Sequence, residues 1–175
     1  MFKKILAVLL VVVIGILGMA AMKPDTFAVT RSITIKAPPD KILGMVGDFR
    51  QWQSWSPWEG LDPQMQRTFS GPASGKGAVY QWSGNKEVGQ GRMEVSEVIP
   101  ASKVVIKLDF ITPFESSNMT EFSTVPQGDA TNVTWTMTGP MPFISKVMSV
   151  FISMDSMIGK DFEKGLAKLK AAAEA

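Results

Sequence analysis

Hydrophobic and polar positions change rhythm several times along this chain. Ile5 to Met22 has no rhythm: it is an uncharged, almost wholly apolar run entered through Lys3 and Lys4. From Phe27 to Lys36 the chain alternates, with Phe27, Val29, Ile33 and Ile35 on one face, which predicts a strand. Ala37-Pro38-Pro39 ends that strand and admits a short helix over Asp40 to Val46, because proline is tolerated in a first helical turn. Asp48 offers a cap for a second brief helix that runs into the tryptophans, and Ser56-Pro57 stops it before Trp58. Six strand-like segments follow: Met65 to Phe69, Ala78 to Ser83, Gly91 to Val98, Val104 to Phe110, Met119 to Val125 and Thr131 to Thr138. Turn-prone residues separate them, among them Gly71-Pro72, Gly84-Asn85, Pro100-Ala101, Pro113 and Gln127-Gly128-Asp129, so the segments predict an antiparallel meander.

Beyond Pro142 the rhythm becomes helical. Apolar residues recur at Ile144, Val147, Met148, Phe151, Met154, Ile158, Phe162, Leu166 and Leu169, a helical periodicity sustained for about seven turns, which predicts one long amphipathic helix. A sheet with one apolar face and a helix with one apolar stripe hide both by packing together. The expectation is an α+β fold: one domain over residues 24–175, with a curved antiparallel seven-strand sheet around a long C-terminal helix, behind an N-terminal segment of residues 1–23.

The segment from Ile5 to Met22 has two readings. As a helix rising ~1.5 Å per residue it extends roughly 27 Å, close to a hydrocarbon core of about 30 Å. Lysines ahead of it and only Lys23 behind it favour a cytoplasmic N-terminus and a single-pass anchor holding the domain outside the cytoplasm. A basic start, an apolar stretch and Gly18-Met19-Ala20 also describe a cleaved secretory signal, which leaves a secreted or periplasmic domain. Lys23 to Thr26 is a short spacer, at most about 14 Å long when extended.

Composition narrows the chemistry. The chain has no cysteine and no histidine, so disulfides, lipidation at cysteine, the commonest general base and most zinc sites are excluded. A net charge of +2, with lysine and arginine scattered, argues against a nucleic-acid partner. No metal-ligand cluster, phosphate loop or cofactor motif is present, and no catalytic constellation is legible.

The run Arg31-Ser-Ile-Thr-Ile-Lys-Ala-Pro-Pro, Val46-Gly-Asp-Phe and the tract Trp52-Gln-Ser-Trp-Ser-Pro-Trp-Glu resemble the polyketide cyclase/dehydrase-like branch of the SRPBCC superfamily, which also holds START lipid-transfer domains and the birch-pollen allergen. Gly75-Lys-Gly-Ala-Val-Tyr-Gln-Trp, Gly91-Arg-Met-Glu-Val and the segment from Met154 through Leu166 extend the match over Phe27 to Leu169. The resemblance implies a helix-grip fold with an apolar-ligand cavity between sheet and final helix. It is specific for fold and weak for activity, since members range from cyclases to lipid carriers and sensors.

On that expectation the cavity candidates are Trp58, Tyr80, Trp82, Met93, Phe110, Phe122, Trp135 and Met137, with Met148, Met154 and Asp155 on the closing helix. Methionine suits adaptable apolar walls, and equally suits ordinary core filling. Trp52, Trp55 and Trp58 fit an aromatic lip or membrane-interface anchor, or simply a plug under the small helices. Asp155 falls on the apolar stripe of an unbroken helix, where it would cap a break after Phe151, pair with an arginine, or serve a ligand. Arg31 shares a strand face with Val29 and Ile33 and is expected to snorkel to solvent. Three functions remain: a membrane-tethered binder or carrier of a hydrophobic small molecule or lipid, a cyclase- or dehydrase-type enzyme, and an envelope interaction or stress protein whose cavity is filled by its own side chains.

Overall fold

The computed structural model describes residues 1–175. The apolar run is a helix, α1 (Phe2–Ala21), long and apolar enough by length and composition to cross a membrane and almost wholly uncovered by the rest of the chain. After four intervening residues β1 (Thr26–Ile35) begins, followed by α2 (Pro39–Gly47), a 3-10 turn at Phe49–Gln51 and α3 (Trp52–Trp55). Then come β2 (Gln66–Ser70), β3 (Val79–Ser83), β4 (Gln90–Ile99), β5 (Lys103–Thr112), β6 (Ser116–Gln127) and β7 (Ala130–Pro140). The chain closes with α4 (Phe143–Met148) and α5 (Met154–Glu174).

The seven strands form one antiparallel sheet in the order β1-β7-β6-β5-β4-β3-β2. Its meander from β2 to β7 follows the alternation of the sequence, and β1 returns to close the far edge against β7. α5 lies on the inner face, packed chiefly on β1 and α3. The core joins Val29 and Ile35 of β1, Val95, Ile106, Phe122 and Val133 of the central strands, and Phe162, Leu166 and Leu169 of α5. The seven-strand sheet gripping a C-terminal helix is the expected α+β helix-grip arrangement.

Local signals explain the short elements. Asp48 Oδ1 accepts from the backbone N–H of Arg50, capping the turn that leads into α3. Trp55 ends α3, because the residue before proline is pushed out of helical geometry. Arg92 and Glu94 form the expected outward-facing pair, 2.7 Å apart.

The C-terminal helical rhythm does not run through as one helix; it breaks next to Phe151, where the charge at Asp155 had pointed, but the cap is Ser153 and not Asp155. The break lies between Met148 and Met154, and Ser153 caps the new start by accepting from Ser156 N. Met148 and Phe151, which carried the helical rhythm up to the break, are exposed, and so is Ile152 beside them. α4 instead turns back towards α1. Lys23 Nζ donates to the carbonyl of Ser149 at 2.5 Å, Met141 N donates to Asp25 O at 2.7 Å, and Lys146 Nζ donates to Asp25 Oδ1 at 2.5 Å.

Candidate functional site

The register sorts the inner face of the sheet into rows. In the central row Trp135 of β7 lies opposite Phe122 of β6, and their rings stack at 4.7 Å. Phe162 of α5 also stacks on Trp135, at 4.0 Å with the planes only 6° apart. Trp55 meets both Phe122 and Trp135 edge-on, and Trp52 sits 4.5 Å from Trp55. Trp135 Nε1 donates to Thr120 Oγ1, and Trp52 Nε1 to the carbonyl of Val46, so two of these buried indoles keep a partner. Trp55 Nε1 is buried without one. With Phe162 and Phe122 fully buried and Trp135 only 1% exposed, the middle of the sheet–helix interface is filled by rings of the chain itself.

Towards the end of the sheet that joins α1, the inner face is less completely covered. One row runs Phe27, Gly139, Asn118, Leu108, Met93, Tyr80, Phe69, and the next runs Ser116, Phe110, Gly91, Trp82, Arg67. Phe27, Trp82 and Phe110 are half-buried there, as are Met154 and Ile158 on the first turns of α5 and Trp58 on the loop after α3. Trp58 packs edge-on against Trp135 and Phe162, and Trp82 edge-on against Phe110. Gly91 is required under that indole, since a Cβ there would collide with the Trp82 ring. These six residues are the half-buried apolar rim of the core, Met154 and Ile158 being contributed by the start of α5.

Beside the rim lies a polar group that the sequence did not announce. Glu59, on the loop after Trp58, accepts from Arg67 Nη2 at 2.5 Å and Nε at 3.1 Å through Oε2, and from the Tyr80 hydroxyl at 3.2 Å through Oε1. Arg67 Nη1 donates to the Met65 carbonyl at 2.9 Å. Glu59 is only 10% exposed at its side chain. Burial, and then the Glu59 charge, push the Tyr80 hydroxyl well above its ordinary pKa, so it stays protonated and donates. Hydrogen bonding to Glu59 likewise raises Arg67. Residues 59, 67 and 80 are brought together only by the β2–β3 pairing and the loop that crosses it. The sole local hint is that Glu59 closes the tryptophan tract.

A second ionic group fixes α5. Arg31 reaches from β1 to Asp155 Oδ1 at 2.7 Å and Oδ2 at 3.0 Å, and to Glu163 Oε1 at 2.7 Å. Its guanidinium crosses the backbone of α5 at Gly159, where a Cβ would collide with Nη2. Arg31 is therefore held to the helix and does not snorkel free. Its hydrogen bonds with Asp155 and then Glu163 raise its pKa, and the bond from Arg31 holds Asp155 below the usual carboxylate range.

Of the residues named from sequence, Trp58, Phe122 and Trp135 meet in one aromatic stack, and Tyr80, Trp82 and Phe110 in a neighbouring one. Met93 and Met137 are buried in the core and Met154 packs at its edge. Met148 and Asp155 lie apart from these. The break before Met154 leaves Met148 exposed on α4, and Asp155, in the first turn of α5, is exposed and pairs with Arg31. A polar cleft of about 510 Å³, lined by Asp40, Asp48 and Gln51 among others, opens elsewhere, beside α2.

Solved structures share this architecture. The Chromobacterium violaceum protein CV1439 is 13% identical with a TM-score of 0.59, over 87% of this chain and 99% of that one. The Aha1 dimer from Colwellia psychrerythraea is 19% identical with a TM-score of 0.60, over 85% of this chain and 96% of that one. The di-domain ARO/CYC protein BexL, from the BE-7585A biosynthetic pathway, is 15% identical with a TM-score of 0.63, over 90% of this chain and 53% of that one. At such identities the likeness establishes the fold alone. No curated protein matches the chain. The family model described as polyketide cyclase / dehydrase and lipid transport, however, matches residues 26–174, which is the whole sheet together with α5, and the chain belongs to that family.

Proposed function

We propose that this protein is a membrane-tethered, extracytoplasmic domain that binds a hydrophobic small molecule or lipid at the half-buried apolar rim to which the start of α5 contributes. The observation that carries the reading is the gathering of Phe27, Trp58, Trp82, Phe110, Met154 and Ile158, all half-buried, at one end of a sheet whose middle is closed. An apolar ligand covering that rim would gain roughly 25 cal/mol for each Å² it removes from water. The rim is at the end from which α1 departs, so a ligand leaving a bilayer would reach it first. Lys3 and Lys4 in the first turn of α1 and a single lysine after it favour a cytoplasmic N-terminus. The family's own description, which includes lipid transport, supports a carrier role.

The Glu59–Arg67–Tyr80 group fits binding better than proton transfer. The Tyr80 proton is engaged by Glu59, and the Arg67 bonds run to Glu59 and Met65. Acid–base catalysis needs a group free to exchange a proton with substrate. A second reading, an interaction protein without a ligand, is favoured by the filled stack of Phe122, Trp135 and Phe162.

Purification of the full chain in detergent, followed by native mass spectrometry and displacement of a fluorescent fatty-acid probe, separates the readings. The binder reading expects co-purifying lipid and probe displacement. It also expects Trp82→Ala and Phe110→Ala each to weaken probe binding by about five- to thirtyfold, as one to two kcal/mol implies. Repeatedly empty spectra with no probe displacement would overturn it in favour of the interaction protein.

A further inference from the structure

Antiparallel pairing sends alternate connections of a sheet to opposite ends. The start of β1, the end of β7 and the β5–β6 tip all fall at the end that α1 enters. At the other end the β6–β7 tip is Gln127-Gly128-Asp129, which is polar. The α1 end is the reverse. Phe143, Ile144 and Met148 of α4, Phe151 and Ile152 of the link to α5, and Phe114 of the β5–β6 tip are all exposed, Phe114 by 81% and Phe151 by 69%. Single exposed apolar residues are ordinary, but six at one end of a domain mark a contact surface.

The ties to α1 identify the occupant. Lys23, directly after α1, holds the Ser149 carbonyl at the C-terminal end of α4, and Asp25 holds Lys146, the cation of α4, at 2.5 Å. Lys146 is thereby turned inward, with its side chain only 10% exposed, and α4 shows apolar residues outward. Ala20, at the end of α1, is fully buried by this packing. On the reading that α1 spans a bilayer, which this step rests on, Met22 and Lys23 mark its surface. α4 is bonded to that mark. A short helix with apolar residues outward, held level with the headgroups, has the character of an interfacial segment.

We propose that α4, the link at residues 149–153 and the β5–β6 tip form a second membrane contact, lying in the headgroup region of the bilayer that α1 crosses. The domain then stands on the membrane with the rim of α5 facing the lipid, and does not swing from a tether. Burial to a depth of about 5–10 Å is what such segments reach.

Because the chain has no cysteine, single labels report cleanly. The full chain is reconstituted in vesicles of phosphatidylcholine and phosphatidylglycerol. It carries an environment-sensitive fluorophore at Phe151→Cys, Phe114→Cys, Val11→Cys or Asp129→Cys, one at a time. Positions 114, 129 and 151 are exposed, so labelling them leaves the core intact, and intrinsic tryptophan fluorescence checks this. The proposal expects the labels at 114 and 151 to be quenched by brominated lipid chains. It expects them to be protected from aqueous iodide about threefold or more relative to 129, as partial burial of an interfacial segment implies. If 114 and 151 are as open to iodide as 129 while 11 is shielded, the second contact is overturned and the spanning helix stands. If 11 is open as well, the spanning reading itself fails and takes this one with it.

Discussion

Phe162→Ala tests whether the sheet–helix interface is packed solid by the chain's own rings. Phe162 is fully buried, lies 4.0 Å from Trp135 in a nearly parallel stack and touches Trp58 edge-on. A buried phenylalanine removes at least about 150 Å² from water, close to 4 kcal/mol at ~25 cal/mol per Å². The stack with Trp135 adds about 0.5–1.5 kcal/mol of its own, while the alanine left behind retains part of the burial. The net expectation is a loss of about 3–5 kcal/mol, the range typical of removing such a ring from a close-packed site. For a domain of this size that lowers Tm by about 6–20 °C. Thermal unfolding followed by near-ultraviolet circular dichroism, which senses the tryptophan stack, measures it, with Phe162→Leu expected to recover more than half. A loss below about 1 kcal/mol would refute the reasoning, because the rings would then close over the gap at little cost.

Other expectations follow from the ionic groups. Gly159→Ala should fail to stabilise α5 while Arg31 crosses it, yet stabilise it by about 0.8–1 kcal/mol once Arg31→Ala has cleared the space, and a double-mutant cycle in urea reads the change of sign. Asp155 has a folded pKa below its unfolded one. Its contribution is therefore complete at neutral pH and is lost as pH falls through the acidic range below about 4; Asp155→Asn should flatten that part of a stability–pH curve. Tyr80 is the only tyrosine in the chain, so phenolate absorbance reports it alone. In the native protein it should titrate well above a free phenol, and Glu59→Gln should bring it down by removing the neighbouring negative charge. Stability from this hydroxyl is present below the unfolded pKa and is lost as pH rises through the folded one.

Strands were legible in the sequence because each keeps one face buried, so alternation survives: β6 and β7 alternate almost throughout. The break before α5 was legible only through the misplaced Asp155, and not from periodicity, because Met148 and Phe151 continue the helical rhythm with residues that serve an outer surface. Periodicity registers where apolar residues recur and does not reveal what covers them. Arg31 and Asp155 each looked out of place alone. Their pairing spans 124 residues and exists only once β1 and α5 are side by side. Glu59, Arg67 and Tyr80 were hidden for a related reason, since a loop carboxylate and two strand residues have no shared spacing to betray them. The tryptophan tract read correctly at Ser56-Pro57, where a local steric rule decides the outcome.

The position of β1 has a consequence for the order of assembly. It is made second, yet its only strand partner is β7, and the Thr30–Thr136 side-chain contact closes over 106 residues. The far end of β1 is held later still: Glu174, one residue from the C-terminus, accepts from Lys36 N across 138 residues. The meander from β2 to β7 pairs neighbour with neighbour and meets far lower loop-closure cost. The first strand must therefore wait, unpaired, until β7, which ends at Pro140, has been made. Pulse-labelled hydrogen exchange during refolding should find the amides of β1 protected after those of β4 to β6.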